Sequence, residues 1–121
     1  MRTLIVDGDP GGVELYEEML PSFGCRVIAS LRTFQETIEW LLRNDITELD
    51  VILIDDSVVP GDLEFEGVFQ IVQTLKEEGF QGRCIVCADV PRTIKGVIWL
   101  PRDEKGIFER LVSVFATSVA S

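Results

Sequence analysis

Leu4-Ile5-Val6-Asp7-Gly8-Asp9-Pro10 and Val51-Ile52-Leu53-Ile54-Asp55-Asp56 decide the fold. Each is a short apolar run that closes on acidic residues. Runs of this length bounded by turn residues read as strands buried on both faces of a parallel sheet. Ligands of such sheets sit beyond the carboxyl ends of the strands, in the crevice where strand order reverses. If the two runs are neighbours, three or four carboxylates share one small crevice. That arrangement suits a hard divalent cation with oxygen ligands and repels a phosphate. Asp9 has a second reading, because an aspartate before proline is a good helix N-cap with proline in the first turn. Asp55 and Asp56 have the plainer reading of strand-exit caps.

At 121 residues the chain reads as one domain, residues 1–121, long enough for a real core. Hydrophobic residues make up 46% and charged residues 26%, as in an ordinary soluble globular protein. The net charge of −10, from 21 acidic against 11 basic residues, argues against nucleic acid as a partner. An anionic membrane surface is disfavoured for the same reason, and no apolar run approaches a membrane span. A cytoplasmic protein is expected. The chain has no histidine, which removes Ser-His and Cys-His catalysis and most transition-metal sites. Cys25, Cys84 and Cys87 fall inside expected strands and read as small core residues.

Strand and helix signals alternate outward from the two acidic runs, which implies an α/β chain of βαβ units with a parallel sheet. The spacing predicts strands over residues 2–6, 25–29, 51–54, 84–88 and 96–100. Helices are expected over 10–23, from a capping box at Thr33-Phe34-Gln35-Glu36, over 66–78, and over 103–118. The interval between the fourth and fifth strands is abnormal. Residues 89–95, with Pro91 among them, are too few for the usual helical crossover.

This order, with acids after strands one and three, resembles a CheY-like response-regulator receiver domain along the whole chain. Residues 4–10 are similar to the family's apolar run followed by an acidic pair. Asp50-Val51-Ile52-Leu53-Ile54-Asp55 is similar to the third strand that ends in the phospho-accepting aspartate. Trp99-Leu100-Pro101 falls where the family has a lysine followed by proline. The resemblance implies a flavodoxin-like three-layer α/β/α sandwich, its five-stranded parallel sheet of order 2-1-3-4-5, with the fourth helix short or missing.

The departures cluster at the chemistry. The second member of the acidic pair, a metal ligand in the family, is Gly8. The hydroxyl residue ending strand four falls on Ala88, the lysine on Leu100, and the aromatic switch residue on Val97. A phosphoryl group on Asp55 would carry roughly −1.5 to −2 charges, and Leu100 and Ala88 supply nothing to offset it. Phosphoryl transfer depends on positioning and charge stabilisation. Counting from the strand selects Asp55 as acceptor; counting back from Pro60 selects Asp56. Asp55 is preferred, since the buried core fixes strand register whereas loops tolerate insertion.

With these departures, the resemblance implies a non-enzymatic signalling domain of two-component type. It is expected to be a pseudo-receiver that acts by protein–protein interaction, with weak or no aspartate phosphorylation. The alternative is a phosphorylatable receiver in a phosphorelay, with Asp55 as acceptor. No cofactor is required, and Mg²⁺ is expected to bind weakly at most, through Asp7, Asp9 and Asp55. The expected partner is a protein, a histidine kinase or an output protein, and a homodimer stays open. A flavin or nucleotide enzyme fits poorly, because residues 7–12 match neither phosphate-binding glycine motif. Without a fourth helix, the partner face should differ from the family's usual one. Val90, Ile98 and Trp99 are expected around an opening there, with Trp99 open between core and interface.

Overall fold

Period-two alternation in the strands sorts the apolar residues onto two faces, and each face receives a pair of helices. A computed structural model describes residues 1–59, 64–89, 93–102 and 106–120. Strands β1 (Arg2–Val6), β2 (Arg26–Leu31), β3 (Val51–Asp55), β4 (Arg83–Ala88) and β5 (Val97–Pro101) form one sheet of order β2-β1-β3-β4-β5. Every neighbouring pair is parallel. Four α-helices are seen among the described residues: α1 (Pro10–Met19), α2 (Phe34–Arg43), α3 (Glu64–Glu77) and α4 (Ile107–Ala120). This is the flavodoxin-like sandwich that the resemblance to receiver domains implied.

On one face, Leu4, Val6, Ile52, Ile54 and Val86 pack with Leu41 of α2 and with Val68, Ile71 and Leu75 of α3. On the other, Ile5, Leu53, Ile85 and Leu100 pack with Val13 and Tyr16 of α1 and with Ile107, Leu111 and Phe115 of α4. β1 and β3 are central, so their residues are covered on both sides and almost wholly buried. Burying each such Leu or Ile side chain contributes about 1.5–3 kcal/mol. All three cysteines are free and buried, as expected of core residues.

The element ends differ from the sequence expectation for local reasons. The first helix was expected to reach residue 23. The α-helix stops at Met19 and a 3₁₀ turn, Leu20–Phe23, completes it. Pro21 has no amide hydrogen to continue the α-helical ladder, and Gly24 closes the turn at φ 77°. β2 runs on to Leu31 because its pairing with β1 continues to Val6. β5 begins after Gly96, whose φ of 84° belongs to a turn.

No helix occurs among the described residues between β4 and β5, and residues 90–92 lie outside them. Ile98 and Trp99 do not make one apolar patch. Successive strand residues face opposite sides, so half-buried Ile98 joins the α1/α4 side and half-buried Trp99 the α2/α3 side. Val90 lies outside the described residues. Among the described residues, no helix is long and apolar enough to cross a membrane.

Candidate functional site

Register alone sets a row of side chains along the carboxyl edge of the sheet. Val6 pairs with Ile54, so Asp7 and Asp55 are the next step on each strand. Asp55 pairs with Cys87, and Cys87 with Leu100. All four follow the parity of Ile5 and Leu53 and face the α1/α4 side. There Asp7 and Asp55 floor an open cleft of about 360 Å³. Gly11, Gly12, Leu15 and Tyr16 of α1 form one wall, while Ile107 and Arg102 form the other.

Asp7 and Asp55 are both buried, at 1% and 6% exposure, and one residue joins them. The Ser57 hydroxyl donates to Asp7 Oδ1 at 3.0 Å, and the Ser57 amide donates to Asp55 Oδ1, also at 3.0 Å. The Asp9 amide donates to Asp7 Oδ1 at 2.9 Å. Burial pushes the Asp7 carboxyl above the usual carboxylate range, and the neighbouring Asp55 charge adds to this. The Asp9 amide and Ser57 hydroxyl bonds oppose it. Burial also raises the Tyr16 hydroxyl and pushes the Cys87 thiol up to about 12, so both groups under the cleft stay neutral.

Asp9 is turned to another task. It N-caps α1 through a bond from the Gly11 amide to Oδ1 at 3.1 Å, although it still borders the cleft. Asp56, 2% exposed, opens a 3₁₀ turn over Asp56–Val58 and does not line the cleft. Of the two acceptor candidates, Asp55 is the one facing the open space.

Arg102 supplies the positive charge. Its Nη2 lies 2.9 Å from Asp55 Oδ1 and also pairs with Asp56 Oδ1. Nη1 lies 3.2 Å from Asp89 Oδ2. The Arg102 amide donates to the Ala88 carbonyl at 3.0 Å, which anchors the residue just past β5. Leu100 and Ala88 are core residues on opposite faces of the sheet, and half-buried Val97 packs on the α2/α3 side.

Two glycines permit these approaches. A Cβ on Gly8 would meet the Ser57 carbonyl oxygen at 2.6 Å, so no side chain, acidic or otherwise, fits where this loop lies. A Cβ on Gly12 would meet Asp7 Oδ2 at 2.1 Å; its absence lets the carboxylate rest against the first turn of α1. A divalent metal does not fit the donors as they stand. Among the described residues no three acidic, Cys or His side chains form a metal-holding group. Asp9 is committed to its cap, and Asp55 to Ser57 and Arg102.

Sequence reasoning named Asp7, Asp9, Asp55 and Asp56 but missed Ser57, Arg102, Tyr16 and the role of Gly12. Arg102 did leave a signal. It is the first basic residue after β5 and has the parity of Leu100, so it extends the same row. Ser57 left one too, as a hydroxyl two residues after Asp55, the spacing of an Asx turn.

No protein-family model matches the sequence, and no curated protein matches it. Solved structures do. The chain is similar to the receiver domain of the histidine kinase CKI1 from Arabidopsis thaliana complexed with Mg²⁺ and BeF₃⁻. Identity there is 14% at a TM-score of 0.65, over 95% of this chain and 89% of that one. It is similar to a chain of the CheX–CheY–BeF₃–Mg²⁺ complex from Borrelia burgdorferi, at 18% identity and a TM-score of 0.61, with 95% and 89% covered. A two-component response regulator from Clostridium difficile matches at 14% identity and a TM-score of 0.64, over 100% and 99% of the two chains. The fold is therefore that of CheY-like receiver domains of response regulators.

Proposed function

We propose that the chain is a receiver-like signalling domain of two-component type, a pseudo-receiver that acts by binding protein partners, with weak or no phosphorylation. One observation carries this reading: the Arg102 guanidinium sits on Asp55 and Asp56, inside the acidic cleft where a phosphoryl group and its metal would have to go. Leu100 and Ala88, both buried, stand where the resemblance places a lysine and a hydroxyl, and neither side chain can stabilise transferred charge. On this reading residues 1–121 act as one non-enzymatic domain that requires no cofactor and binds Mg²⁺ weakly at most. The structural neighbours include the receiver domain of a histidine kinase and a chain of a CheX–CheY assembly. A histidine kinase or an output protein is the corresponding partner class here, and a cytoplasmic setting goes with it. The net charge of −10 counts against nucleic acid and anionic membrane.

A phosphorylatable receiver is the second reading. It is favoured by the open cleft of about 360 Å³ in front of Asp55, with Asp7 beside it. Incubation with Mg²⁺ and acetyl phosphate, followed by intact-mass spectrometry, separates the two. The pseudo-receiver gains no phosphoryl group. A hydroxylamine-labile adduct on the wild-type chain that disappears in Asp55→Asn establishes the phosphorylatable reading instead.

A further inference from the structure

We propose that Arg102 is the resident cation of the acidic cleft, a tethered counterion that stands in place of a divalent metal and ties together the carboxyl ends of β3, β4 and β5. The inference rests on the reading of Asp7 and Asp55 as a receiver-type acidic cleft. Two buried carboxylates, those of Asp7 and Asp55, line it, and buried Asp56 follows Asp55 at the end of β3. Such a cluster needs positive charge, because its members repel one another and have lost most of their water.

Arg102 meets that need in a way a metal cannot match here. A guanidinium keeps its charge at all working pH values and offers several donors in a fixed fork. One nitrogen, Nη2, serves Asp55 at 2.9 Å and also Asp56, both at the end of β3. The other, Nη1, reaches Asp89 just past β4 at 3.2 Å. The residue's own amide is held by Ala88 at 3.0 Å. Because Arg102 belongs to the chain, its local concentration is set by geometry and no free ion competes on equal terms. Asp55 Oδ1 is already shared between the Ser57 amide at 3.0 Å and Arg102 Nη2 at 2.9 Å, so a metal would find that oxygen engaged. Mg²⁺ is particular about octahedral geometry and sheds water reluctantly. The arginine therefore excludes it and holds the ends of β3, β4 and β5 together.

The proposal makes the acidic cleft latent as a metal site, so removing the guanidinium should expose it. The probe is Mn²⁺, followed by the electron paramagnetic resonance signal of the free ion, with the full chain and its variants R102Q, R102K and R102Q/D55N. Folding is checked by circular dichroism. R102Q should take up one Mn²⁺ per chain at least about tenfold more tightly than wild type, the scale expected for removing one unit charge beside a dication. R102K, which keeps the charge, should resemble wild type, and the added D55N should abolish the gained site. A folded R102Q that binds no Mn²⁺, or a wild type that binds it as tightly as R102Q, overturns the proposal. Should R102Q fail to fold, the wild-type melting temperature decides. No change on adding Mn²⁺ upholds a resident arginine, and a concentration-dependent rise overturns it. Metal uptake by wild type without phosphorylation of Asp55 refutes the role of Arg102 alone. Uptake together with phosphorylation refutes the pseudo-receiver reading as well.

Discussion

Along the carboxyl edge of the sheet, β1 and β3 end in buried carboxylates, whereas β4 and β5 end in Cys87, Ala88 and Leu100, which belong to the core. The acidic half is held by short polar contacts through Ser57 and the Asp9 amide. The other half is held by packing, and its positive charge comes from Arg102, beyond the strand. The difference teaches that the two halves fail differently. Carboxylates in the first half answer to hydrogen bonds and charge, and positions in the second answer to volume.

The largest expected effect tests the packing half. Leu100→Ala removes an 8%-exposed side chain from the α1/α4-side core and should cost about 2–4 kcal/mol in urea unfolding. Leu100→Met, close in volume, should cost under about 1.5 kcal/mol. A Leu100→Ala loss as small as the Met variant's would mean that the end of β5 is not core, and the contrast between the halves would collapse.

The next effect tests the acidic half by crowding. Gly12→Ala places a Cβ onto the Asp7 carboxylate and should cost about 1–2 kcal/mol, because Asp7 can yield only by giving up its bonds from Asp9 and Ser57. Gly11→Ala, whose Cβ would meet Asp9 at an ordinary 3.6 Å, should be neutral or gain up to about 1 kcal/mol in helix propensity. Equal costs at the two glycines in thermal or urea unfolding would break the assignment. Ser57→Ala is expected to cost about 1 kcal/mol by the same measurement, since it deletes the hydroxyl bond to Asp7.

The smallest effect is one of pH. Burial raises the Asp7 carboxyl in the folded chain above its ordinary value of 3.8. Between 3.8 and that raised value the folded state holds more protons than the unfolded one, so stability falls as pH rises through this window. Asp7→Asn should remove this contribution. The wild-type stability curve minus that of the variant should therefore slope downward with rising pH just above 3.8 and flatten at neutral pH. A difference curve that slopes upward would show Asp7 to be stabilised as the carboxylate.

How much of this could be read from residues alone depends on what fixes each part. The apolar runs Leu4–Val6 and Val51–Ile54, and the acids that close them, were legible because burial on both faces dictates residue type at every position. Their adjacency came only with the family resemblance, which implied the sheet order 2-1-3-4-5. The abnormal gap after β4 was legible too, since length alone limits a crossover. The counterion was not. Arg102 reaches Asp55, Asp56 and Asp89 through a long side chain from outside the strand, and nothing in the local pattern says how far such a chain folds back. The helix end at Met19 was missed because a proline near a helix terminus can either end it or begin a tighter turn. Ile98 and Trp99 were grouped by proximity in sequence, although alternation along β5 sends them to opposite faces.

The close seat of Gly8 on the Ser57 carbonyl limits how position 8 can change. An acidic side chain at position 8 is one base change away for many glycine codons, yet here it would strike backbone, which cannot swing aside as a flexible side chain can. The segment after β3 would have to move first, and Ser57 would then release both Asp7 and Asp55. Installing an acidic pair at the end of β1 thus requires substitutions in an order, with the early ones costing stability before any ligand is gained.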